Sequence, residues 1–242
     1  MLRTSEIFGP TVQGEGRFAG YPAIFVRLSG CNLDCSWCDT PYTWDWTGKN
    51  GTVYIRSEEE FNPSDEQLLS EVKRILTNQD QRIIISGGEP LLQSKNIRAF
   101  HDMIRTAGLN NPIDIETNGT LNPLDNVNTN IIDHYTVSPK FGSSGIEWKP
   151  RWNKTINEFR SLAFVGKADC KFVVSNEEDT KQVEDFIDKF NFPRSNIYIM
   201  PEGKTSEELQ RSAGLVADTA IRLNVKYSDR LHVRIWEDER KR

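Results

Sequence analysis

Apolar residues recur along the chain in two alternating rhythms. Short runs with a period of two or unbroken hydrophobicity, at 22–29, 82–86, 113–116, 135–138, 171–174, 197–200 and 231–236, read as strands. Between them lie stretches with helical spacing. Leu68, Leu69, Val72, Ile75 and Leu76 form one stripe, capped by Ser64 or Asp65, and further helical patterns run over 94–107, 178–190 and 205–223. Strands alternating with helices predict an α/β chain with a parallel sheet and right-handed crossovers, wound either into a barrel or into an open doubly wound sheet. Periodicity does not choose between the two. Residues 6–16, broken by Gly and Pro, read as an irregular loop, and Glu58, Glu59 and Glu60 read as a solvated stretch. Residues 141–169, rich in Gly, Lys and Trp, are the best candidate for a variable insertion in an otherwise single domain over 1–242.

The places where polar residues interrupt this pattern carry the chemistry. In the first apolar run Ile24, Val26 and Leu28 face one side and Phe25, Arg27 and Ser29 the other, which puts a cation in mid-strand in need of an anionic partner. The ends of the strands lead into Gly30-Cys31, Ser86-Gly87-Gly88-Glu89-Pro90, Thr117-Asn118-Gly119, Ser138-Pro139-Lys140 and Pro201-Glu202-Gly203. In parallel α/β folds that edge gathers the functional loops. Cys31, Cys35 and Cys38 share one short loop. Three thiolates suit three irons of a [4Fe-4S] cubane, leaving the fourth iron for the amino and carboxylate groups of S-adenosylmethionine, the radical SAM arrangement. A zinc or redox loop is the competing reading, although zinc closes with four ligands and disulfides use cysteines in pairs. Cys170, at the head of a later strand, reads as a core thiol.

Composition narrows the class without naming a reaction. At 242 residues, 37% hydrophobic, 10% aromatic and 27% charged, the chain can bury a sizeable core and is not of disordered type. A net charge of -5 argues against a surface that clings to nucleic acid, and Arg240-Lys241-Arg242 reads as a solvated tail. No apolar stretch is long enough to span a bilayer, and the first residues lack a signal-peptide core, so a cytoplasmic protein with reduced thiols is expected. His101, His134 and His232 share no motif and default to core or surface roles.

Taken together, Gln13-Gly14-Glu15-Gly16, Phe25-Val26-Arg27-Leu28, Gly30-Cys31-Asn32-Leu33, Trp37-Cys38-Asp39-Thr40, Gly87-Gly88-Glu89-Pro90, Glu116-Thr117-Asn118-Gly119 and Ser138-Pro139-Lys140 resemble the 7-carboxy-7-deazaguanine synthase family in order and spacing. The resemblance is close over residues 6–140 and weaker beyond. It implies a modified, partial (β/α) TIM-like barrel, a homodimer, and a lyase that converts 6-carboxy-5,6,7,8-tetrahydropterin to 7-carboxy-7-deazaguanine and ammonia. The implied cofactors are the cluster, catalytic S-adenosylmethionine and Mg²⁺, with an external reductant such as flavodoxin or ferredoxin and no nucleic-acid or membrane partner. The same resemblance implies Trp37, Cys38, Asp39, Gly88, Glu116, Ser138, Pro139 and Lys140 around S-adenosylmethionine. Thr40 would ligate Mg²⁺, and Val12, Gln13, Gly14, Glu15, Arg27 and Ser86 would meet the pterin, Arg27 through its carboxylate. Glu15 would accept from the aminopyrimidine edge, Glu116 would hold the ribose, and Gly87 and Gly88 would let the backbone approach the methionine amino group. Each has a plainer alternative: a turn hydroxyl at Thr40, a permanent ion pair of Arg27 with Glu15 or another acid, a simple turn at Gly87-Gly88. A glycyl-radical-activating enzyme shares the cysteine spacing and the Gly-Gly-Glu-Pro run, and a zinc-stabilised interaction module is the non-catalytic alternative. The tail after Trp236 departs from the family, so no C-terminal substrate contact is expected.

Overall fold

The computed structural model, which describes residues 1–123 and 131–242, lays eight strands in one sheet in chain order. β1 (Thr4–Val12) is antiparallel to β2 (Pro22–Leu28). Then β3 (Arg82–Gly87), β4 (Ile113–Thr117), β5 (His134–Val137), β6 (Ala168–Val174), β7 (Ile197–Pro201) and β8 (Lys226–Tyr227) follow in parallel. Among the described residues no ladder joins β8 to β1, so the barrel is open. The gap is bridged by the loop after β1: the Gly16 amide donates to Ser228 Oγ at 2.8 Å, and the Leu231 amide donates to the Gly14 carbonyl at 2.9 Å.

The pleat divides each strand between two environments. Outward residues such as Ile24, Val26, Leu28, Ile83, Ile85, Ile115, Val137, Cys170, Phe172 and Ile199 form the main core with the helices. The helices are α1 (Arg56–Glu59), α2 (Asp65–Ile75), α3 (Ser94–Thr106), α4 (Trp152–Phe164), α5 (Glu177–Phe190), α6 (Ser206–Leu223) and α7 (Leu231–Trp236), of which α2 to α6 supply this core and α1 and α7 lie outside it. On α2 the expected stripe is realised. Leu68, Val72 and Ile75 are buried, Leu69 and Leu76 pack at the margin, and Ser64 closes a capping box with Gln67. Inward positions are far more polar: Arg27, Ser86, Asp114, Glu116, Asp169 and Lys171 alternate with the apolar layer. At the start of the strands these polar groups close on one another. Arg17 donates to both oxygens of Asp169 at 2.5 and 2.8 Å, His134 Nε2 lies 2.9 Å from the same carboxylate, and Arg82 pairs with Asp114 while stacking 3.7 Å over Phe18.

Four expectations are corrected. Residues 4–12 form a strand although Gly9 and Pro10 interrupt them, because an edge strand tolerates Pro and the ladder to β2 skips register between Phe8 and Thr11. Residues 231–236 form a helix. Beyond β8 there is no further strand to pair with, and local bonds such as Arg234 N–H to Arg230 O satisfy the backbone instead. The acidic run at 58–60 is partly a short helix, with Glu60 accepting from Ser29 Oγ at 2.6 Å. The basic tail is anchored: Arg240 pairs with Glu6 at 2.7 Å and Glu59 at 2.8 Å and stacks over Tyr42. The stretch 141–169 contains α4, the β5–β6 crossover helix, with Trp152, Ile156 and Phe159 buried.

Candidate active site

One cavity opens at the carboxyl ends of β2 to β7, with Cys31, Cys35 and Cys38 on its wall. Of the residues expected in the site, Val12, Gln13, Glu15, Arg27, Trp37, Asp39, Thr40, Ser86, Gly88, Glu116, Ser138 and Lys140 line it as well. Gly14 and Pro139 stand behind the lining. Gly14 is fixed by packing, since a Cβ there would fall 1.9 Å from His232 Nδ1.

The cysteine loop leaves β2 and is braced by β3. The Gly88 amide donates to Leu28 O at 3.1 Å and the Glu89 amide to Gly30 O at 2.8 Å. A Cβ on Gly87 or Gly88 would lie 2.1 Å from the carbonyl oxygens of Leu28 and Gly30 respectively. In this structure, then, the close approach of the β2 end and the cysteine loop leaves no room for a side chain at either glycine. Glu89 is fully buried; burial pushes its carboxyl up, while it accepts from Leu91 N, Thr117 Oγ1 and Asn118 N. That ties the Gly-Gly-Glu-Pro turn to the end of β4.

All four cysteines are free. Cys170 lies in the main core among apolar side chains, and burial holds its thiol well above the usual range. Burial also pushes Cys31 up to about 12 and raises Cys35. Among the described residues no three or more His, Cys, Asp or Glu converge to hold one metal ion. The indole N–H of Trp37, between two of the cysteines in sequence, is buried without a hydrogen-bond partner among the described residues. Lys140 lies 5.4 Å over the Trp37 ring and donates to Ser138 Oγ at 2.8 Å. This wall suits a cluster and an adenosyl group.

The opposite wall is ionic. Arg27 Nε donates to Glu6 Oε2 at 3.1 Å; Glu6 is 1% exposed and also receives Tyr42 Oη at 3.0 Å and Arg240. Arg27 therefore has a resident acid, Glu6 on the paired strand β1 and not Glu15. Among the described residues its two terminal nitrogens make no hydrogen bond, the guanidinium lies 5.6 Å over the Phe8 ring, and Arg27 lines the cavity. Glu116 accepts from Gln13 Nε2 at 3.0 Å. Glu15 pairs with Lys171 and, at 2.7 Å, with Arg230, which reaches on to Gly203 O and Asp39. Burial would raise the Glu15 carboxyl, but Lys171, Arg230 and His232 outweigh it and hold the group well below its ordinary value. Burial lowers His232, keeping the imidazole neutral near pH 7. At Thr40 the carbonyl takes the turn's hydrogen bonds, from Thr43 N at 3.0 Å and Thr43 Oγ1 at 2.8 Å. Among the described residues its hydroxyl has only the Cys38 sulfur, at 3.8 Å, and is not spent on the turn.

Lys171, Arg230, His232, Tyr42 and the tail from Glu237 to Arg242 also line the cavity and were not anticipated as site residues. Lys171 was detectable, since it is a cation inside an apolar strand like Arg27. His232 and the tail belong to a segment whose path the local pattern misstates.

Residues 25–214 match the family model of the Radical SAM superfamily. A 7-carboxy-7-deazaguanine synthase of Pyrobaculum aerophilum is 31% identical over 99% of this chain and 96% of its own, and one of Hyperthermus butylicus is 33% identical over 96% and 92%. The chain belongs to the 7-carboxy-7-deazaguanine synthase family. The crystal structure of QueE from Escherichia coli superposes with a TM-score of 0.67 at 27% identity, covering 96% of this chain and 94% of that one. Radical SAM membership brings the [4Fe-4S] cluster and S-adenosylmethionine, and the three free cysteines on the cavity wall, with the partnerless Trp37 indole beside them in sequence, fit both.

Proposed function

We propose that the chain is a radical SAM lyase that converts 6-carboxy-5,6,7,8-tetrahydropterin to 7-carboxy-7-deazaguanine with loss of ammonia. The observation that carries this reading is a single cavity with the cysteine loop on one wall and an ordered set of buried charges on the other, Arg27, Glu116 and the Lys171–Glu15–Arg230 chain. When bound, the reduced cluster and S-adenosylmethionine supply one-electron chemistry that removes a hydrogen atom from carbon.

The chain's own residues bind and orient. With Nε held by Glu6, the two terminal nitrogens of Arg27 form an end-on fork for the substrate carboxylate. Glu15, kept ionised by its cations, retains lone pairs for the amino and ring N–H donors of a pterin. Glu116, oriented by Gln13, would take the ribose hydroxyls. The Thr40 hydroxyl, unused by its turn, would complete the shell of a Mg²⁺ shared with the carboxylate and water. The family likeness supports a homodimer served by a small electron carrier such as flavodoxin or ferredoxin, and the four free thiols support a reducing, cytoplasmic setting. A glycyl-radical activator would have to dock a protein, and nothing in the cavity favours it over a small acid.

The test is anaerobic turnover of the reconstituted chain with the carboxypterin, S-adenosylmethionine, Mg²⁺ and a reductant, read as product by mass spectrometry. Arg27→Lys keeps the charge and loses the fork, so kcat/KM should fall roughly ten- to a hundredfold, through KM, with S-adenosylmethionine affinity unchanged. No product from the carboxypterin with a full cluster, or Arg27→Lys kinetics equal to wild type, would remove the assignment.

A further inference from the structure

The three sulfurs of the cluster loop are hydrogen-bonded unequally. Cys31 Sγ accepts from the Leu33 amide at 3.4 Å, the ordinary contact of a tight loop. Cys38 Sγ accepts from the indole Nε1–H of Trp44 at 3.3 Å, a bond made by a side chain six positions away. Cys35 Sγ has a backbone hydrogen bond only from its own residue, and no side-chain donor reaches it among the described residues. The other polar neighbour of Cys38, the Thr40 hydroxyl, is longer at 3.8 Å.

The Trp44 contact is built in. Its amide donates to Pro41 O at 3.0 Å, and the next residue, Asp45, is 1% exposed. The Asp45 carboxylate gathers the amides of Thr47, Lys49 and Asn50 at 3.3, 3.0 and 2.8 Å, knotting the loop into one conformation. Asn50 Nδ2 then donates to Cys35 O at 3.1 Å, fastening this knot to the cysteine loop itself. The half-buried ring stands between the active-site cavity and a shallow outer hollow lined by Cys31, Leu33, Trp46 and Lys49. An indole N–H can only donate, so it cannot compete with sulfur for iron. A donor on a cysteine sulfur draws charge from the thiolate, and it stabilises the more negative, reduced cluster more than the oxidised one.

We propose that Trp44 is a positioning residue that raises the reduction potential of the cluster by donating its indole N–H to the Cys38 sulfur. The proposal rests on the cluster that family membership brings, and it concerns the ease of reduction and not the choice of substrate.

The test uses the full chain, reconstituted anaerobically, with iron and sulfide determined first. A wild-type protein without a cubane complement overturns both the proposal and the family cofactor; a wild type that holds one leaves the comparison with Trp44→Phe to decide. In a potentiometric titration followed by electron paramagnetic resonance, without S-adenosylmethionine, the ratio of reduced to oxidised cluster at fixed potential should fall about tenfold, a midpoint lower by about 59 mV for a one-electron couple. Proton electron-nuclear double resonance of the reduced wild type should show a coupling that disappears in D₂O and is missing from the variant. Equal midpoints at equal cluster content, or a wild type lacking that exchangeable coupling, overturns the proposal. Should the Phe variant take up no iron, β-(3-benzothienyl)alanine at position 44 keeps the bicyclic shape without the N–H. A wild-type midpoint there overturns the proposal, and a lowered one supports it.

Discussion

Glu15 sits between two cations from different elements, Lys171 on β6 and Arg230 ahead of α7, with each of the three side chains no more than 10% exposed. Neutralising Glu15 takes away the direct ion-pair partner of the buried Lys171 and one of the two acids on Arg230, which keeps Asp39, so Glu15→Gln should cost about 3–5 kcal/mol at pH 7 in urea unfolding. The pH dependence has a definite sign. The carboxyl is lowered in the folded state, so its contribution is complete above the ordinary value of 4.5 and fades as pH falls from there toward the folded value. Wild type should lose stability with acid more steeply in that window than Glu15→Gln; parallel slopes would mean that the carboxylate is not held by its cations. At this scale the sequence was informative where a charge broke an apolar run. Arg27 was legible for that reason, and Lys171 carried the same signal. Arg230 did not, because its partners Glu15 and Asp39 lie 215 and 191 positions away and nothing local marks it.

The turn from β3 into the helical turn at Pro90–Gln93 works as an element because its backbone lies against the cysteine loop. Gly88→Ala would drive a methyl group to 2.1 Å from Gly30 O and 3.0 Å from Cys31 N, both backbone atoms that cannot rotate away. Such overpacking costs about 1–3 kcal/mol. The expected outcome is a lower iron content after reconstitution together with a Tm lowered by about 2–4 °C for each kcal/mol. A variant with full iron and wild-type Tm would show that the strands can separate to admit the methyl. The stripe of α2 and the spans of α3, α5 and α6 were legible in the sequence because helical spacing is a local property, whereas α4 was not anticipated. β1 and α7 were misread for the converse reason: an edge strand that accommodates Gly-Pro and a six-residue helix are both decided by what lies beside them.

The open barrel is closed by its own chain at two levels, the Gly14–Gly16 bridge to Ser228 and Leu231 across the gap and the Arg17–Asp169–His134 cluster at the start of the strands. Asp169 is 2% exposed, and Arg17→Ala would leave it with His134 and Asn196 as partners. Loss of that bidentate pair should lower stability by about 1–3 kcal/mol while cluster content after reconstitution stays at the wild-type level. A fall in iron content as large as the fall in stability would show that the lower end of the barrel also shapes the cysteine loop. The sequence by itself determined the alternation of strands and helices, the α/β class, the three-cysteine loop and the family to which its motifs belong. Each of these resides in neighbouring residues, in periodicity, spacing and side-chain chemistry. The open barrel was expected from the family resemblance and not from periodicity, whereas tertiary structure alone decided that Arg27 has Glu6 as a resident partner, that Arg230 joins Glu15 to Asp39, and that the C-terminal tail lines the cavity. These depend on which distant charges the curled sheet brings within a few ångströms. Local pattern carries no record of that distance, because the energy of a buried charge is set by its neighbours in space.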